Sequence, residues 1–207
     1  MAKQFEERKF NIPTLNGISA KNIEEHLKLY AGYVKNANVI LAKIDEYSED
    51  SSPLVGAGEE HAYALGEIGR RFAFEFDGMR NHEIYFSHFE NGSTALTTDG
   101  SLMKAVQEEW GTFERWLKRF KTLATTRGTG WAQLLWDPTS DRLLNNWVDE
   151  QHLGQLSACV PILALDMWEH SYVADYQPSG KKQYIEDFFE NLNWSNVEEN
   201  FSSAIQK

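Results

Sequence analysis

The chain has 207 residues, 42% of them hydrophobic and 13% aromatic, enough apolar side chain for one sizeable core or two modest ones sharing an interface, which excludes a disordered protein. No stretch approaches the roughly 18 to 20 apolar residues of a membrane span, and the opening MAKQFEERKF is too polar and too mixed in charge for a signal peptide, so a soluble cytoplasmic domain with no membrane partner is expected. A formal charge of -11 with no compensating basic stripe argues against a nucleic-acid partner, and a single cysteine, Cys159, leaves any metal to histidine and carboxylate.

Residues 14–22 (TLNGISAKN) read as a loop into a helix cap. Ile23, Leu27, Tyr30, Val34, Ala37, Ile40 and Leu41 then recur at helical spacing, which predicts one long helix. Ser, Pro and Gly in SEDSSPLVGAG break that pattern, and a second helix is predicted from near Glu59 through Phe89, antiparallel to the first. The turn residues of NGSTALTTDG at 91–100 mark a domain boundary, with an N-terminal α-hairpin domain at 1–93 and a C-terminal α+β domain at 94–207. Beyond it, LMKAVQEEW and TFERWLKRFKTLATT predict two amphipathic helices split at Gly111. TRGTGWAQLLW, RLLNNWV and CVPILALDM are short apolar runs bounded by turn residues such as DPTSD, as expected for three strands of a small antiparallel sheet. QYIEDFFENLNW and SNVEENFSSAIQK return to helical spacing, so the fold class is α+β.

Six histidines are available for chemistry. His61 and His88, among glutamates and aromatics, read as ordinary surface or partly buried residues. His26 and Tyr33 are seven apart and share one face of the first helix. His82, in NHEIYF, can face His26 across the hairpin, and Asp166 and His170 lie at and just beyond the end of an apolar strand. Three imidazoles and one carboxylate form a donor set suited to Mn, Fe or Zn with a position left open. The rival signatures are missing: no histidine has Glu three positions before it as a di-iron bundle requires, and His-Glu-x-x-His, a phosphate loop and a nucleophile elbow are absent.

GTGWAQLLW, PILALDMWEHSY and DYQPSGKKQYIEDFFENLNW resemble the C-terminal half of the iron/manganese superoxide dismutases, with a strand ending in Asp-x-Trp-Glu-His and an Asn-Trp pair in the tail. HLKLYAGYVKNAN and NHEIYF resemble the family's first-helix and second-helix ligand motifs, and the likeness spans about residues 10–195. It implies one Fe or Mn ion held by His26, His82, Asp166 and His170, with Tyr33 as the gateway residue. It further implies that Trp131 and Trp168 wall the pocket and that Glu169 reaches the partner's His170 across a homodimer interface. The implied activity is conversion of superoxide to dioxygen and hydrogen peroxide; the alternative is a metal-free structural or interaction relative of the same fold.

Several positions depart from the family pattern. Its ligand His and gateway Tyr are eight apart with a further His between, whereas here the spacing is seven and Leu29 and Tyr30 occupy the stretch, as if a π-type bulge were removed; this is preferred to Glu25 as the ligand. Gly78 stands at the helix position that can supply a hydrogen-bond donor to the solvent ligand, so the donor is expected from VDEQHLG, where His152 is preferred to Gln151. Val173 replaces a family Tyr. Lys181 and Lys182 match the family's basic cluster and are the expected source of a positive funnel for a small anion.

Overall fold

The computed structural model describes residues 3–48 and 59–206, so the expected break at 49–58 and the side chain of His61 lie outside the described residues. Helix α1, Ala20–Ser48, buries Asn22, Ile23, His26, Tyr30, Val34 and Ala37, a stripe at steps of three and four, and α2, Glu59–Ser87, packs along it. From Glu75 onward α2 is buried on almost every side, through Met79, His82, Tyr85 and Phe86, because the sheet covers the face that α1 does not. Asn91 and Gly92, both at positive φ, end the hairpin.

The segment after it is tied to the far end of the chain. Thr94 forms a parallel bridge to Asn193, and its hydroxyl donates to the Asn193 side chain at 2.9 Å. Helices α3, Ser101–Trp110, and α4, Phe113–Ala124, follow, split as expected at Gly111, whose φ of 86° suits glycine and whose N–H bonds the Gln107 carbonyl. Thr112 caps α4 by accepting from Arg115 N. The exposed start of α3 is capped from another helix: Glu198 accepts from Ser101 N at 2.8 Å and Leu102 N at 3.1 Å.

Strands β1, Gly130–Asp137, β2, Arg142–Asp149, and β3, Val160–Asp166, form an antiparallel sheet in the order β2-β1-β3. The central strand β1 is buried from Gly130 through Trp136, so both sheet faces are covered there. Its register sets Trp131 beside Val148 on one neighbour and Asp166 on the other. Three further helices complete the chain: α5, Glu169–Tyr176, α6, Lys181–Asn191, and α7, Trp194–Ala204. Helix α5 has no counterpart among the expected elements; it begins three residues after Asp166, with Trp168 as its N-cap. The described residues thus form seven α-helices and one three-stranded antiparallel sheet, helices first and α/β second, and none of the described helices is long and apolar enough to cross a membrane.

Asn193 joins the two ends of this assembly. Its side chain accepts from Ser195 N, Asn196 N and Thr94 Oγ1 and donates to the Glu90 carbonyl at 2.8 Å. Asn193→Ala should lower stability by about 1–3 kcal/mol, the cost of a helix cap together with a buried acceptor left unmade. A urea midpoint unchanged from the parent would show that the pin is dispensable.

Candidate metal centre

Four elements each deliver one donor to a single point. His26 comes from the buried face of α1, His82 from α2, Asp166 from the last residue of β3 and His170 from the first turn of α5. Asp166 Oδ2 lies 3.1 Å from His26 Nε2, 3.2 Å from His170 Nε2 and 3.6 Å from His82 Nε2, and the four donor atoms all lie within 4.8 Å of one another. Asp166 Oδ1 is occupied by Trp168 N at 2.8 Å, which turns Oδ2 toward the imidazoles. His26, His82 and Asp166 are wholly buried, and the His170 side chain is 23% exposed.

His82 decides what this arrangement is for. Its Nδ1 lies 2.6 Å from the Gly78 carbonyl, which can only accept, so Nδ1 carries the proton and Nε2 presents a lone pair. That nitrogen is buried without a hydrogen-bond partner and faces a carboxylate oxygen, two electron pairs turned toward each other. Burial, then the proximity of His26, pushes the His82 pKa down to about 3, so the imidazole cannot relieve the contact by protonation near neutral pH. Burial alone would raise the Asp166 pKa, but His170 and His26 outweigh it and hold the carboxyl well below its usual range. A lone pair that burial keeps unprotonated on His82, aimed at a carboxylate oxygen that two further imidazoles also approach, fits a bound cation, and three nitrogens with one oxygen suit Mn, Fe or Zn.

A second group of side chains leans on the first. The Tyr33 hydroxyl accepts from Gln151 Nε2 at 2.9 Å, and Gln151 Oε1 accepts from Trp131 Nε1 at 2.8 Å. The Tyr33 ring lies 5.0 Å from the His82 ring and rests on Gly78, where a Cβ would come within 2.6 Å of it. Burial and the Asp166 charge push the Tyr33 pKa up, so the phenol keeps its proton. Above it opens a hollow of about 300 Å³ bordered by Lys28, Gly32, Asn36, Arg71 and Phe74.

The structure rearranges other expected residues. His152, preferred above to Gln151, faces Phe74 and Asp77 instead of Tyr33. The cause is a tight turn: Asp149 and Leu153 exchange both backbone hydrogen bonds, Glu150 adopts φ 52°, and the amide of Gln151 swings inward. Glu25 is exposed and paired with Lys28, and α1 runs without a π-turn through the stretch of seven. Trp168 stacks on His170 with ring centroids 5.7 Å apart, while Glu169 beside it is exposed. Lys181 donates to the Thr126 carbonyl beside the Trp147 ring and Lys182 lines a groove between α4 and α6, so the cations bordering the hollow over Tyr33 are Lys28 and Arg71. His88 is fully buried, not superficial, and its Nε2 accepts from Ala164 N at 3.2 Å.

Residues 98–200 match the family profile described as iron/manganese superoxide dismutases, C-terminal domain. The chain is 32% identical to the iron superoxide dismutase of Cupriavidus metallidurans over 195 residues, covering 93% of this chain and 92% of that one. The chain belongs to the iron/manganese superoxide dismutase family. It is also 32% identical to the manganese superoxide dismutase of Mycolicibacterium fortuitum and 34% identical to the iron superoxide dismutase of Mycobacterium tuberculosis, in each case over 88% of this chain and 83% of the relative. Relatives named for iron and for manganese are thus about equally similar to this chain. Two polar residues that sequence reasoning passed over, Asn81 and Gln133, lie buried against this family site. The signals were an Asn directly before His82 and one amide within an otherwise apolar strand.

Burial pushes His88 down to about 3, as it does His82. A folded pKa below the unfolded value of about 6.5 means that the unfolded chain holds a proton the folded one lacks, so stability is full above pH 6.5 and falls as pH drops toward 3. In the metal-free protein, His88→Gln should keep the bond from Ala164 N and remove about 1.4 kcal/mol per pH unit from that slope. Equal slopes in urea titrations of variant and parent would refute the buried neutral imidazole.

Proposed function

We propose that the protein converts two superoxide anions and two protons to dioxygen and hydrogen peroxide at one iron or manganese ion held by His26, His82, Asp166 and His170. The observation that carries this reading is the partnerless lone pair of His82 facing Asp166 Oδ2 among two further imidazoles. When bound, the ion would supply the one-electron couple, cycling between its trivalent and divalent states. The chain's own residues do the rest. Tyr33 spends its acceptor lone pair on Gln151 and keeps its proton, so its O–H is free to hand that proton to a peroxide forming beneath the hollow. Gln151 is fixed at both ends of its amide, with one N–H on Tyr33 and its oxygen on Trp131, leaving the second N–H for a solvent or substrate atom. Gln151, not His152, is therefore the proposed solvent donor. Trp131 and Trp168 shield the imidazoles from bulk water, while Lys28 and Arg71, the cations at the rim of the hollow, are paired with Glu24, Glu25 and Glu75.

A homodimer is part of this proposal. His170 is the only one of the four proposed ligands with an exposed edge, and the neighbouring Glu169 is exposed with no ion pair or side-chain hydrogen bond among the described residues, so a second copy would cover the imidazole and give the carboxylate a partner. Sedimentation should show a dimer at micromolar concentration; a fully active monomer would contradict it.

His82→Ala should abolish both metal content and dismutation, because a missing ligand cannot be replaced inside a dry site. Glu25→Gln should leave metal and activity as in the parent. Full metal occupancy in purified His82→Ala, measured by elemental analysis, would overturn the ligand assignment.

A further inference from the structure

Gln133 is the only polar side chain in the buried run from Trp131 to Trp136, at the centre of the sheet. An amide there costs on the order of 1–3 kcal/mol unless its hydrogen bonds are made, and its Oε1 has no partner. Its Nε2 makes one bond, to Asn81 Oδ1 at 2.9 Å. Asn81 Nδ2 in turn donates to the backbone carbonyl of Gln151 at 3.0 Å. The direction of this chain matters. With Oδ1 held by Gln133, the Asn81 amide can present only its NH2 group to the Gln151 carbonyl; flipped, it would set oxygen against oxygen. The neighbouring peptide is held too, since Glu150 N donates to the Thr129 carbonyl and Trp168 Nε1 donates to the Glu150 carbonyl at 3.1 Å.

We propose that Gln133 is a positioning residue: acting through Asn81, it sets the backbone of the Asp149–Leu153 turn so that the Gln151 amide meets Trp131 and Tyr33 together. The relevance of this placement to catalysis rests on the proposed function; the placement itself does not. Gln133 touches no substrate and none of the four donors is among its hydrogen-bond partners. It spends its one bond on orienting another amide, which explains a polar residue where an aliphatic one would pack without penalty.

The test begins on metal-free protein labelled with nitrogen-15, where the Trp131 indole N–H resonance reports its bond to Gln151. Gln133→Met, close in volume but without a donor, should move that resonance toward its position in Gln151→Ala, and so should Asn81→Ala, which removes the link if the first variant fails to fold. In the metal-loaded enzyme, Gln133→Met should lower the dismutation rate about 10-fold, at the low end for such outer contacts. The double variant Gln133→Met/Gln151→Ala should be no slower than Gln151→Ala alone, because the first change acts only through the second residue. An unmoved indole resonance in both Gln133→Met and Asn81→Ala, or rate losses that multiply in the double variant, would overturn the proposal. A moved resonance together with full activity in Gln151→Ala would uphold the positioning and overturn the role given to Gln151.

Discussion

A carboxylate oxygen buried with three imidazole nitrogens turned toward it, one of them a partnerless lone pair, is the constraint on which the molecule depends. Such a point is unfavourable in an empty protein, and nothing local creates it: the donors come from two long helices, the end of a strand and the first turn of a short helix. Hairpin, sheet and α5 must be docked before the four groups meet. A cation that binds the docked form and not the unfolded chain therefore adds its binding free energy to the fold. Site and fold are in this sense one equilibrium.

Helix α2 shows how much one element can be made to carry. The Gly78 carbonyl fixes the tautomer of His82, while the missing side chain of the same residue makes room for the Tyr33 ring. Asn81 points to the turn after β2, His82 to Asp166, Tyr85 to Tyr184 and His88 to the outer edge of β3. Steps of one, three and three residues distribute these tasks around α2 and the residue just past its end, and only an element enclosed by α1 on one side and the sheet on the other can use so many of its faces. The same enclosure explains why His82, and His88 just past the end of the helix, are held neutral.

The parts of this arrangement that were legible in the sequence are those with a local period or a compact motif. His26 and Tyr33 on one face, the hairpin, the split at Gly111 and the three strands follow from spacing and turn residues, and Asp-Met-Trp-Glu-His marks its own neighbourhood. Helix α5 escaped notice because it is short and starts almost directly from a strand, with no polar cap to announce it. Which of Gln151 and His152 turns toward Tyr33 was not legible for a conformational reason: Glu150 takes a left-handed backbone without being glycine, and one such residue sets which neighbour faces inward. Asn81 and Gln133 were invisible for another reason. Their meaning lies in partners 70 and 52 residues distant, and no local pattern encodes a bond of that separation.

The cap that Glu198 places on the start of α3 has a consequence for how the protein is made. Ser101 leaves the ribosome 97 residues before the carboxylate that caps it. At about 5 to 20 residues per second, that interval is roughly 5 to 20 s, during which the first turn of α3 has only water for its N–H groups. The Thr94 to Asn193 clasp closes across a similar interval, separated by 99 residues. The middle of the chain thus lacks both ties until α7 has been made, and α7 acts as the latch. Maturation of the centre is by this logic timed by the arrival of α7 and not by the emergence of the last histidine.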